Sequence, residues 1–160
     1  MAIVQSRAAY LKSTDAAEWS GGQYDGRIRV SLPESGVVGA ETRRALAHEI
    51  VHACLTNISN NWPAWLQEGL AQKLSGDTLP PSAAATLRQM AAQHSLPRLE
   101  NIGQSWSRMS TQHARLAYNL ALLAVDNMLE RYANYGIRNI LNNPDQLPAI
   151  TAELDRTLGL

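Results

Sequence analysis

At 160 residues the chain has the length of one domain, and 45% of it is apolar, enough for a single core. Lys+Arg and Asp+Glu both number 14, so the formal net charge is zero; with no basic run and no interleaved aromatic stripe, neither nucleic acid nor an anionic membrane is expected as a partner. Cys54 is the only cysteine, which excludes an internal disulfide and a cysteine-based structural zinc site, so any metal must be held by His and carboxylate.

Met1–Arg7 lacks the basic start and long apolar core of a secretory signal, and no apolar run approaches the length of a membrane span. A soluble chain is therefore expected, with the compartment and the oligomeric state left open. Ile3-Val4-Gln5 reads as a short strand and Ser6 as the cap of a helix over Arg7–Ser13. Gln23-Tyr24-Asp25 and Arg27–Ser31 read as the arms of a hairpin turning at Asp25-Gly26. In the second arm Arg27, Arg29 and Ser31 alternate with Ile28, Val30 and Leu32, which suits an edge strand. After a loop over Pro33–Gly39, a helix begins at Ala40 with Leu46, Ile50, Val51 and Leu55 at helical spacing, and Asn57–Asn61 ends it. Cys54 falls among these apolar positions and is expected to be a buried thiol.

Pro63 suits the first turn of a second helix over Ala64 to about Leu74, which stops near Ser75-Gly76-Asp77. An Ala-rich helix follows over 81–94, then Pro97, a short helical stretch at 98–104 and a long helix from Thr111 to Ala133. Shorter helices near 136–142 and 146–157 close the chain, and no internal repeat is visible. The expected class is α+β: a single domain over 1–160 with a small N-terminal β-sheet or hairpin packed on the helix from Ala40, followed by a mainly helical C-terminal part.

His48-Glu49-Ile50-Val51-His52 reads H-E-x-x-H. On a helix the two imidazoles stand about 40° apart around the axis and roughly 6 Å along it, within reach of one metal ion. Glu49 lies about 100° further round than His48, placed to bind a water on that metal more readily than the metal itself. A catalytic zinc takes three protein donors, so one is missing. The extended H-E-x-x-H-x-x-G-x-x-H pattern would put a His where Ile58 stands, and His94 and His113 lie outside any short extension. Glu68, in Trp65-Leu66-Gln67-Glu68-Gly69 on the next helix, is the better third ligand, with Gly69 permitting close helix approach.

Leu46-Ala47-His48-Glu49-Ile50-Val51-His52 followed by Pro63-Ala64-Trp65-Leu66-Gln67-Glu68-Gly69-Leu70-Ala71 resembles the gluzincin metallopeptidases, within them the bacterial peptidase MA-like domains. The likeness extends upstream over Trp19-Ser20-Gly21-Gly22-Gln23-Tyr24-Asp25-Gly26-Arg27-Ile28 and downstream to Ala117-Tyr118 and Glu130-Arg131-Tyr132. It implies a zincin-like fold, Zn2+ held by His48, His52 and Glu68, Glu49 as general base, and a peptide or protein as substrate. It also places Tyr118 where the family carries a hydrogen-bond donor for the oxyanion. Tyr118 is thus either that donor or a core residue of the long helix. A phenol with a pKa near 10 stays protonated and can donate to developing negative charge.

The chain departs from the family's pattern at Ala121, where a Ser is common, and at Gln72, where an acidic residue is common. Gln72 is one turn beyond Glu68, a candidate to orient a ligating His. His113 and Arg115 are weaker candidates for the same cleft. The activity implied is peptide hydrolysis by a zinc-activated water with Glu49 as base, and the alternative is a zinc-binding domain serving as a non-catalytic docking or regulatory module.

Overall fold

β1, Ala2–Ser6, runs directly into α1, Arg7–Ser13, because the Ser6 hydroxyl accepts the Ala9 N–H at 3.3 Å and caps the helix. β2, Gly22–Tyr24, and β3, Ile28–Leu32, follow as a hairpin. Its turn is built by Gly26 at φ 93° and by Asp25, whose carboxylate accepts the Arg27 N–H at 3.3 Å and pairs with the Arg29 guanidinium. The computed structural model describes residues 2–14, 16, 20–104, 106 and 109–160; Trp19, at the head of the upstream segment, lies outside them.

The sheet has the order β1-β3-β2, with β1 parallel and β2 antiparallel to β3. The arm expected at the edge is therefore the central strand. Its alternation of polar and apolar residues is what an edge strand shows, but Val30 is fully buried and only 17% of the Arg29 side chain is exposed, because β1 returns through α1 to cover the second side. The free edge near the next helix belongs to β2.

α2 spans Ala40–Ile58 and α3 spans Ala64–Ser75, which ends on Gly76 in the left-handed region at φ 92°. Gly76 and Asp77 return their N–H groups to Lys73 and Gln72 at 3.2 and 2.9 Å, closing the helix end. α4 is Pro81–Ala92, a 3-10 turn covers Leu99–Ile102, α5 is Thr111–Asn142 and α6 is Leu147–Leu158. α5 breaks at Ala133, φ 51° and ψ −177°, where the sequence pattern also ends its long helix.

Leu66, Leu70, Leu120, Val125 and Met128 build the core between α3 and α5, with Leu99 and Leu154 closing it from the 3-10 turn and α6. The architecture is α+β, a three-stranded sheet with six α-helices among the described residues. No helix of those residues is long and apolar enough to cross a membrane.

α2 packs Val51 and Leu55 inward as its apolar spacing suggests, but not every apolar position follows. Leu55 is buried, yet Ile50 is 45% exposed, Ile58 is 52% exposed and Cys54 is exposed rather than buried. Positions 50, 54 and 58 share one stripe. The side of α2 turned into the protein also carries His48, Glu49 and His52.

Candidate metal centre

His48 and His52 project from one face of α2 with ring centroids 4.9 Å apart, as four-residue spacing on a helix requires. Glu68 reaches them from α3. Its Oε2 stands 3.1 Å from His48 Nε2 and 3.5 Å from His52 Nε2. Donors held about 2.1 Å from one tetrahedral centre are about 3.4 Å apart, so these separations fit a shared ion. One donor atom from each of the three residues lies within 4.8 Å of the others, and this group can hold a metal. Two imidazoles and a carboxylate suit first-row divalent ions as a class.

The same contacts set the electrostatics. Burial raises the Glu68 carboxyl, but the hydrogen bonds and charge of His48 and His52 outweigh it and bring the carboxyl down to about 2. Burial lowers the His52 imidazole, and the Glu68 contact overcomes it, for a net rise. Glu68 is accordingly a carboxylate at every pH at which the protein would bind a cation.

Glu49 is beside the triad rather than in it. It is 6% exposed, and burial raises its carboxyl above the ordinary value against the opposing pull of His48 and His52. The wall next to it is β2, whose Gly22 leaves room for the Glu49 side chain. Tyr118 enters from α5. Burial raises its phenol well above 10, and the charges of Glu68 and Glu49 and a hydrogen bond to Glu68 add to that. Its ring stands edge-on to buried Trp106, centroids 4.8 Å apart. Tyr118 thus contacts the carboxylate of the triad and is not a plain core residue.

Two glutamines divide the supporting roles. Gln72 does not orient a ligating His: its amide donates to the backbone carbonyls of Glu68 at 3.2 Å and Tyr118 at 3.0 Å, bolting α3 to α5 behind the site. Gln67 lies beside His52, and its Nε2 donates to the Trp62 carbonyl at 2.8 Å. The Trp62 indole in turn donates to the Leu55 carbonyl of α2 at 3.0 Å, so the start of α3 is tied to the last turn of α2. Gly69 permits close helix approach toward α5, where a Cβ would fall 2.5 Å from the Ala121 carbonyl oxygen. Exposed His94, His113 and Arg115 take no part in the triad.

Gln67 and Gly22 do not stand out in the sequence pattern. For Gly22 a signal exists, since a glycine inside a strand marks a close approach of another group. A cleft of about 700 Å³ joins these parts, lined also by Tyr24 of β2, Arg44 of α2 and Trp106. No family model matches the chain, and no curated protein or solved structure is significantly similar to it.

Proposed function

We propose that the chain is a zinc-dependent metallopeptidase of the gluzincin type, with a zincin-like arrangement of α2, α3 and the sheet. The observation that carries this is the convergence of His48, His52 and Glu68 within 4.8 Å, with Glu49 buried alongside and outside the ligand set. A purely structural site is closed by a fourth protein ligand and has no use for such a carboxylate.

A bound zinc supplies Lewis acidity toward a peptide carbonyl and a water molecule. Glu49 takes the proton of the attacking water and delivers it to the leaving amine. Its raised proton affinity suits a group that must hold the proton between those two steps. Tyr118, kept protonated by burial, donates to the oxygen on which negative charge develops.

The substrate strand lies on β2. Gly21 accepts the Ser31 N–H at 2.9 Å and the Asp25 N–H reaches the Arg27 carbonyl at 3.3 Å, so the odd-numbered residues of this arm bond β3. Gly22 and Tyr24 therefore turn their N–H and C=O groups to the free edge, where an extended peptide adds as a further strand.

The test is a peptide-library digest by the zinc-loaded protein and its Glu49→Gln variant. Wild type should cleave, and the variant should keep about one zinc per chain while losing turnover. A zinc-loaded wild type that cleaves no peptide would remove the peptidase assignment and leave a metal-binding docking module.

A further inference from the structure

β2 is a wall only three residues long with one hydrogen-bonded neighbour, too short to hold its own position firmly. Besides packing on β3 and α2, the strand is tied by hydrogen bonds to α1. Tyr10 is fully buried, and its hydroxyl stands 3.0 Å from Ser20 Oγ. Ser20 Oγ lies 2.5 Å from the Gly22 carbonyl oxygen and donates to it. A serine hydroxyl has one proton, so the Tyr10 hydroxyl must be the donor to Ser20, and the chain Tyr10 to Ser20 to Gly22 runs one way. Burial raises the Tyr10 phenol above its ordinary value, which keeps that donor protonated. The Arg7 guanidinium binds the Ser20 carbonyl, a further tie from α1 to the same point.

The carbonyl that Ser20 engages is one of the groups the β2 register turns to the free edge. An acceptor already satisfied offers less to an incoming N–H. The Gly22 N–H and the two backbone groups of Tyr24 remain for a docking strand. On the adjoining face the same Gly22 packs against Glu49.

We propose that Tyr10 and Ser20 are positioning residues: their hydroxyl relay holds the Gly22 carbonyl and fixes the register in which an extended peptide adds to β2. The substrate part of this rests on the peptidase reading; the anchoring of β2 does not. No contact of Tyr10 or Ser20 with the metal-binding residues is involved.

The zinc-loaded chain is compared as wild type, Ser20→Ala, Ser20→Thr and Tyr10→Phe, by amide hydrogen exchange over residues 21–25, zinc content and steady-state kinetics. Loss of one hydrogen bond should speed exchange in Ser20→Ala and Tyr10→Phe by about tenfold. KM for a peptide that wild type cleaves should rise by a similar factor, with kcat changing far less and zinc content constant. Ser20→Thr, which keeps the hydroxyl, should restore both. Unchanged exchange, or a KM that stays level or falls in Ser20→Ala, overturns the proposal. Tyr10→Phe retains the buried ring and tests the same relay if Ser20→Ala does not fold. A wild type without turnover on any peptide sinks the peptidase assignment, and the exchange rates alone then decide whether the relay holds β2.

Discussion

A Cβ on Gly22 would stand 2.6 Å from Oε1 of Glu49, closer than non-bonded atoms approach, so strand and carboxylate share a space that only glycine leaves open. Gly22→Ala should therefore push the Glu49 side chain away from the triad while leaving His48, His52 and Glu68 in place. Turnover should fall by about 100-fold, the scale of a roughly 1 Å misplacement. Zinc content should not change. Kinetics beside elemental analysis check this, and loss of zinc together with activity would show that Gly22 serves the fold of the triad instead.

Glu49 is held in a site that favours its neutral form. Its carboxyl is raised by burial, so its own contribution to the stability of the metal-free fold is full below the ordinary carboxyl value of 4.5 and is lost as pH rises through the raised value. Glu49→Gln removes that decline. In the presence of a chelator the variant should melt higher than wild type at neutral pH, by about 0.5–2 kcal/mol in stability, as is common when a functional group in conflict with the fold is replaced. The difference should shrink toward zero as pH falls below 4.5. Thermal melts across pH measure it; a variant less stable than wild type at neutral pH would contradict the sign.

Gln67 and Gln72 sit on the same helix and should behave differently. Gln67 lies beside His52, so Gln67→Ala should weaken metal binding by about 10–100-fold, the usual cost of losing a partner behind a ligand. Gln72 adds a second hydrogen bond to two helix carbonyls, so Gln72→Leu should cost about 0.5–1.5 kcal/mol of stability from the lost tie between α3 and α5, with a smaller effect on the metal. Competition titrations against a chromogenic chelator separate the two. Equal losses of affinity would mean that both act only through the packing of α3.

Ala133 interrupts α5 at φ 51° and ψ −177°, a conformation that glycine tolerates and alanine does not. In an ordinary helix interior Ala→Gly costs about 1 kcal/mol. Here Ala133→Gly should stabilise by a similar amount, because relief of strain outweighs the added freedom of the unfolded chain. Chemical denaturation gives the sign directly, and a destabilised variant would show that α5 runs through this point as regular helix.

Much of this arrangement is legible along the chain because it depends on local spacing. The four-residue separation of His48 and His52, the cap at Ser6, the stop at Gly76 and the break near Ala133 each follow from residues a turn or two apart. Glu68 is reachable by counting donors. What the pattern misses depends on residues far apart in sequence. β3 looks like an edge strand until β1 pairs with it, and Cys54 looks buried until α2 turns its histidine face inward. Gln67 and Gln72 are alike as residue types, and only the positions of α2 and α5 decide that Gln67 lies beside His52 while Gln72 ties the backbone of α5.

X-ray absorption at the zinc edge on stoichiometrically loaded protein tests most directly whether His48, His52 and Glu68 hold one ion together. Two imidazole nitrogens at about 2.0–2.1 Å and a carboxylate oxygen at about 2.0–2.2 Å are expected, with the oxygen contribution and the binding affinity both reduced in Glu68→Ala. A spectrum without imidazole scattering, or one that Glu68→Ala leaves unchanged at full occupancy, would contradict the site.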